Sequence, residues 1–354
     1  MRILQVIDSL QPGGAEKMAI NYANAWVNHS EQSFLIATNK GGALKAQISD
    51  QVTYKIYNRQ LWNLVFVIFK ILLFIKKNRI DTVQAHASSY KWAKFIKLCY
   101  PKIIFIWHDH NGNRVSWPNN KNQHIIEYSK YFDFVFACNP ELENWAKNNL
   151  KVKNVFYIPN FAISEINEKV TFLKGDPNKR IVCIANWRHP KNHLFLIQAF
   201  HQSNIAKQGW SLHLVGKAYQ DKYEQNVLNY IESQKVNNIF RYGMCTDTNF
   251  ILSQVQIGIL VSTYEGFPVT LLEYGLAGLC PIVSNVGFMS KLVNNLENGY
   301  TLNKNDLNKL IEIFRNLAVT NDWNEYGEIF KKKIESDYSA EIVIKKFIQF
   351  IHAY

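Results

Sequence analysis

Short apolar runs alternate along the chain with segments of helical periodicity, and no block consists of strands alone. Arg2–Asp8 and Ser33–Thr38 read as strands, with a helix over Gly13–Asn28 between them. Further helices are predicted over Leu61–Lys77, Tyr90–Leu98 and Pro140–Asn149. Strands fall at Asp81–Ala85, Lys102–Trp107, Phe132–Ala137 and Val155–Ile158. Periodicity is lost over 159–179, where Pro159-Asn160 and Lys174-Gly-Asp-Pro-Asn-Lys179 read as a linker. A second series follows. Its strands are Arg180–Ala185, Trp210–Val215, Ile239–Tyr242, Gly258–Val261 and Pro281–Ser284. Its helices are Leu194–Gln202, Lys222–Gln234, Asn249–Gln254, Val269–Ala277 and Asn305–Ala318, with Met289–Leu292 continuing the series. Over Ser339–His352, Ile342, Ile344, Phe347, Ile348 and Ile351 share a helical face that closes the fold. Repeated β-α alternation predicts an α/β chain of two Rossmann-like, doubly wound parallel-sheet domains facing a central cleft. The boundaries are 1–162 and 163–338, with 339–354 a closing helix that can pack back on the first domain.

In such sheets ligands bind at the carboxyl ends of strands. Four stretches sit there. Gly13-Gly14-Ala-Glu16 opens the first helix, where paired glycines let a ligand approach the backbone and a helix N-terminus favours phosphate. Asn186-Trp-Arg188-His-Pro-Lys191 offers two cations, Arg188 able to bridge phosphate oxygens and Lys191 adding a point charge. Ser262-Thr-Tyr-Glu265-Gly266-Phe267-Pro268 leads into a helix that carries Glu273. Backbone N–H groups around Gly266 and Phe267 are placed to meet phosphate, and Gly287 repeats the opportunity after the next strand. The two carboxylates also read as ordinary acids favouring a helix N-terminus. His86, His108 and His110 lie just past strand ends. A His-x-His pair without a third ligand is a weak metal signal, so a satisfied polar turn or, for His108, a sugar or phosphate contact are the alternatives. Asp-x-Asp is absent, and with it the usual carboxylate pair for a metal–diphosphate complex. Gly-x-Gly-x-x-Gly follows no strand, which counts against a nicotinamide or flavin enzyme.

At 354 residues the chain has room for two domains, and 47% hydrophobic with 19% charged residues excludes a disordered one. Its 40 basic against 28 acidic residues give a net charge of +12. That excess favours nucleotides, phospholipid headgroups or nucleic acid, or reflects a Lys- and Asn-heavy composition. Lys and Arg are scattered rather than strung along one helix, which counts against nucleic acid. Cys99, Cys138, Cys183, Cys245 and Cys280 form no Cys-x-x-Cys pair and read as reduced residues of a cytoplasmic protein, most of them in the core. The apolar run Ile3–Ile7 is too short for a signal peptide. Leu61–Ile75 is too short to span a bilayer. With Trp62 and the cluster Lys76-Lys77-Asn78-Arg79, the stretch 61–79 reads as a core helix, as a helix lying on a membrane surface, or as both on different faces.

Glu265-x7-Glu273, with Gly-Phe-Pro inside and Gly278-Leu-Cys-Pro281-Ile-Val-Ser after it, resembles the retaining glycosyltransferases of family 4, which have the GT-B fold. Gly13-Gly14-Ala15-Glu16, Asp81-Thr-Val-Gln-Ala-His86 and Asn186-Trp-Arg188-His-Pro-Lys191-Asn192 resemble that family's glycine loop, its Asp-Val-Val-His-x-His strand and its basic loop. The likeness covers essentially the whole chain. It implies that Glu265 sits by the donor sugar near the reacting carbon, that Glu273 takes the ribose hydroxyls, and that Arg188 and Lys191 neutralise the diphosphate. Backbone N–H groups at Gly14, Phe267 and the neighbours of Pro268 would add to that neutralisation, and His108 would touch the sugar. Asn186, the Tyr274-Gly275-Leu276 run and Phe288 depart from the family pattern, and the last two are expected to reshape the sugar pocket.

The resemblance implies metal-independent, retaining transfer of a hexose or N-acetylhexosamine from a UDP- or GDP-sugar, with no bound cofactor. The acceptor is a glycan, expected to be lipid-linked, in capsule, O-antigen (lipopolysaccharide) or exopolysaccharide assembly. The protein would be cytoplasmic, with 61–79 on the inner face of the membrane. A nucleotide-sugar epimerase or glucan phosphorylase of the same fold is the alternative enzyme. A basic membrane- or nucleic-acid-binding protein is the alternative from another class.

Overall fold

In the computed structural model, residues 1–30, 32–164 and 169–352 are described, the side chains of residues 113 and 119 apart. The chain divides into two compact units, Met1–Phe161 with Ala340–Tyr354, and Ala162–Ser339.

The first unit runs β1 (Arg2–Ser9), α1 (Gly14–Trp26), β2 (Gln32–Lys40), β3 (Thr53–Ile56), α2 (Leu64–Lys77), β4 (Thr82–His86), α3 (Ala93–Cys99), β5 (Ile104–Asp109), α4 (Asn119–Tyr128), β6 (Phe134–Ala137), α5 (Pro140–Asn149) and β7 (Asn154–Tyr157). Its seven-stranded parallel sheet has the order β3-β2-β1-β4-β5-β6-β7. Alternation along each strand supplies both faces. Leu4, Val6, Phe34 and Ile36 pack with Ile71 and Phe74 of α2. Ile7, Leu35 and Ala37 pack with Ala19, Ile20 and Ala23 of α1. Asn139 caps α5 by accepting the Leu142 N–H at 2.8 Å, with Pro140 in the first turn.

The second unit runs β8 (Arg180–Ile184), α6 (His193–Ser203), β9 (Ser211–Val215), α7 (Lys222–Ser233), β10 (Ile239–Gly243), α8 (Thr248–Leu252), β11 (Ile257–Leu260), α9 (Val269–Leu276), β12 (Cys280–Ser284), α10 (Met289–Leu292), β13 (Tyr300–Leu302), α11 (Leu307–Leu317) and α12 (Asp322–Tyr338). Its six-stranded parallel sheet is ordered β10-β9-β8-β11-β12-β13. The last helix, α13 (Ala340–His352), belongs to the first unit. Its Phe347 meets Trp26 and Phe136 at ring-centroid distances of 5.0 and 4.9 Å, and Phe350 stacks on Phe156.

Each sheet therefore reverses winding once, the first between β1 and β4 and the second between β8 and β11, so each unit has its own switch point flanked by the loops leaving those two strands. The sequence pattern missed β3, α4, β13 and α12. Strands β3 and β13 are four and three residues long, and α12 buries only Gly327, Phe330 and Ile334, so neither type presents a periodic stripe. Part of the expected linker is a packed segment. Arg180 donates to the Lys174, Leu173 and Gly175 carbonyl oxygens, and Asp247 accepts the N–H groups of Val170 and Thr171. All five cysteines are free thiols. Cys138, Cys183 and Cys280 are buried, but Cys99, at the end of α3, lies on the surface.

Candidate active site

At the switch point of the second unit, β8 and β11 are neighbours, with Ile181 opposite Ile257 and Val182 opposite Gly258. Their loops are held together by the Thr263 N–H, which donates to the Pro190 carbonyl at 2.8 Å. Lys191 and Glu265, 74 positions apart in the chain, form a largely buried ion pair there. Lys191 keeps 18% of its side-chain surface and Glu265 11%. Ser262 donates to the same Glu265 Oε1 at 2.7 Å, and Ser284 donates to the Ser262 carbonyl at 2.5 Å. The sequence singled out both ends of the ion pair but not their pairing, and it missed Ser262 as the hydroxyl that orients the carboxylate. Arg188 is solvent-exposed at the same loop. Glu273, on α9, is 7% exposed.

The loop after β12 closes over this region. The Phe288 N–H donates to the Gly266 carbonyl at 3.1 Å. Gly287 has φ +57°, and a Cβ there would overlap the Glu265 carbonyl oxygen. Pro268 precedes α9, which starts at Val269. Phe267 and Phe288, both buried, stack with centroids 4.5 Å apart. Tyr274 is not where a pocket-shaping residue would be. It is fully buried, covers Gly258 where a Cβ would collide with its ring, and accepts the Ile184 N–H at 2.9 Å. The tyrosine fills the space beneath β8 and β11 that the glycine leaves empty, so its role is to hold the two strands' spacing.

In the first unit, β4 and β5 extend further than the sequence suggested and include His86 and His108, which sit opposite each other in the ladder. The expected pair of imidazoles thereby becomes three. Ring nitrogens of His86, His108 and His110 lie within 4.8 Å of one another. His86 Nε2 is 2.7 Å from Gln5 Oε1, His86 Nδ1 is 2.9 Å from His110 Nε2, and Gln84 Nε2 is 2.9 Å from His108 Nδ1. Donor and acceptor roles follow. Gln5 Oε1 can only accept, so His86 carries its proton on Nε2 and accepts at Nδ1 from His110. His108 accepts from the Gln84 amide, so its proton is on Nε2, a buried N–H with no partner in the protein.

Burial lowers the pKa of His86 and His108 well below the usual value. It lowers that of His110 to about 4, against the opposing pull of Asp109. All three are neutral at pH 7. The His108 and His110 rings are stacked with centroids 4.1 Å apart, and the His86–His110 contact is a hydrogen bond, so the cluster is a bonded imidazole stack. His108 is fully buried, while His110 is partly exposed. Asp109 forms a buried ion pair with Arg114, whose other nitrogens reach Asp109 Oδ1 at 2.9 Å and Asn122 at 3.1 Å. At the glycine loop, Gly13 precedes α1 and the Glu16 carboxylate folds against it, so a Cβ there would meet only the movable end of that side chain, and Gly14 has open space.

Comparison with known proteins agrees with this architecture. A family model described as Glycosyltransferase Family 4 matches residues 12–163, and one described as Glycosyl transferases group 1 matches 164–331. A protein of Klebsiella pneumoniae described as an uncharacterized 41.2 kDa protein in the cps region is 19% identical over 305 residues, 82% of this chain and 76% of that protein. Among solved structures, Anabaena HepE in complex with UDP-glucose superposes with a TM-score of 0.81 at 16% identity over all of both chains. A point mutant of S. aureus TarM, in complex with fondaparinux, α-GlcNAc-glycerol and UDP, gives 0.77 at 13% identity, over 99% of each chain. A glycosyltransferase from Rickettsia africae gives 0.77 at 18% identity, over 98% of this chain and 97% of its own. At these identities the likeness is one of fold.

Proposed function

Because the chain belongs to the GT-B glycosyltransferases, a family 4 domain followed by a group 1 domain, we propose that it transfers a hexose or N-acetylhexosamine from a UDP-sugar to a glycan acceptor with retention of configuration. The observation that carries the reading is the Lys191–Glu265 pair, oriented by Ser262 at the switch point of the second unit. Lys191 and the exposed Arg188 are the cations for the diphosphate. Glu265 is the carboxylate for the sugar, and Glu273 the one for the ribose. Gly266, Phe267 and Gly287 bring backbone close to the donor. In the first unit the backbone at Gly13 and Gly14 is offered to the donor's phosphates, and the partly exposed His110 offers a neutral imidazole to a sugar, with the fully buried His108 stacked against it rather than touching the sugar itself.

In the reaction the bond between the anomeric carbon and the phosphate oxygen breaks. The acceptor oxygen bonds the same carbon on the same face and passes its proton to the departing phosphate oxygen. No side chain is then needed as general base. The two cations offset the charge developing on the phosphate, which is the work a metal does elsewhere. The cps-region relative and the UDP-glucose complex of the HepE neighbour support a UDP-sugar and a surface-polysaccharide setting. A lipid-linked acceptor, hence work at the inner face of a membrane, completes the reading.

Glu265→Gln and Lys191→Ala should each lower UDP release from the preferred UDP-sugar by about a hundredfold or more. Circular dichroism should remain unchanged, and EDTA should not alter the wild-type rate. Full activity in either variant overturns the site assignment. An inverted anomer in the product, read by NMR, overturns retention.

A further inference from the structure

Helix α2 has two apolar faces. Val67, Ile71, Phe74 and Ile75 are buried in the first unit's core. On the other side, starting from the short turn before the helix, Leu61 is 95% exposed, Trp62 85%, Val65 80%, Phe66 58%, Phe69 58% and Leu73 48%. At about 100° per residue these six occupy one arc of roughly 140°. They form a continuous apolar patch on the order of several hundred Å², large for a surface that meets only water. Lys70 and Lys77 lie at the edge of the arc, with Lys70 Nζ 4.2 Å from the Phe66 ring centroid, and Lys76 and Arg79 are exposed at its end. From Gln51 to Ile80 the chain has six Lys and Arg and no Asp or Glu.

We propose that this face of α2 docks on an anionic phospholipid surface. The helix cannot cross a bilayer. Its 14 residues span about 21 Å against a hydrocarbon core of about 30 Å, and no helix among the described residues is long and apolar enough. An apolar strip edged by unpaired-sign cations, with a tryptophan at one end, is instead the composition of a helix lying in the interface. Its side chains sit among the acyl chains and its ammonium groups at the phosphates. Charge decides between occupants. A second copy of the same face would bring Lys70, Lys76, Lys77 and Arg79 against their like, whereas phosphatidylglycerol meets them with the opposite sign. The proposal gives the transferase reading a place for a lipid-linked acceptor, but stands on the surface of α2 alone.

The test is flotation of the full chain with phosphatidylcholine vesicles, with and without one third phosphatidylglycerol, for the wild type, Phe66→Ser/Phe69→Ser and Lys70→Glu/Lys77→Glu. Each substitution sits on an exposed position and should leave folding and sugar transfer to a water-soluble acceptor unchanged. Partitioning should be at least about tenfold stronger on the anionic vesicles, and each double variant should lose about tenfold or more. Equal partitioning of the wild type and the Phe66→Ser/Phe69→Ser variant overturns the proposal. So does a stable dimer, by light scattering, that the same variant dissolves. A wild-type chain that transfers sugar but does not bind the anionic vesicles would tell against the docking surface alone, and one that binds them but transfers no sugar against the transferase reading alone.

Discussion

Gly287 shows how one residue sustains the site. Its positive φ and the Glu265 carbonyl oxygen in the space a Cβ would need both require glycine. Gly287→Ala should push the loop after β12 away from the Glu265 loop. An activity loss larger than the fall in melting temperature is expected, with a destabilisation of about 1–3 kcal/mol in urea unfolding. A melting temperature and rate equal to wild type would refute the close-approach argument. Glu265 and Lys191 were legible in the sequence because loops at strand carboxyl ends are few. Their contact was not, because it depends on β8 and β11 being neighbours although 72 residues of chain lie between Ile184 and Ile257. Tyr274 was misread for a related reason. From the chain it stands one position after Glu273, but helix geometry turns it about 100° away from that carboxylate and under the sheet.

Among elements, the contact of α9 with α12 fixes the helix that carries Glu273. Gly327 of α12 lies so close to the Gly278 carbonyl that a Cβ would overlap it, and Gly275 of α9 leaves no space before Ile334. Gly327→Ala forces backbone against backbone and cannot be relieved by a rotamer change. It should cost about 1–3 kcal/mol in chemical denaturation, while Gly14→Ala, in open space, should cost well under 1. Comparable losses in the two variants would contradict the packing account. Elements with a strong pattern were found from the sequence: β1, α1, α2, β11, α11 and α13 all carry apolar periodicity. Helix α12 was not, because a largely polar helix with three buried positions is held by glycine-mediated contact rather than by an apolar stripe. Helix α2 was legible as apolar throughout, yet only packing decided which of its faces stays bare.

For the whole molecule, the buried imidazoles set a pH limit. Burial holds His110 and His193 to about 4 and His213 to about 3, and keeps His86 and His108 well below their usual value. The unfolded chain therefore binds more protons than the folded one between about pH 6.5 and 4, and stability must fall as the pH is lowered through that window. Each group contributes up to about 1.4 kcal/mol per pH unit there, so the melting temperature should be flat above pH 7 and drop steeply below 6.5. His110→Gln should shallow that slope; an unchanged slope would mean His110 is not held neutral by the fold. The sequence by itself determined the two α/β series, the strand-end loops and the chemistry on them, because side-chain period and turn residues are local properties. Only the tertiary structure decided that Lys191 meets Glu265, that His86 joins His108 and His110, and that Tyr274 lies beneath the strands. Strand order and register bring distant positions together, and neither is written in any local stretch of chain.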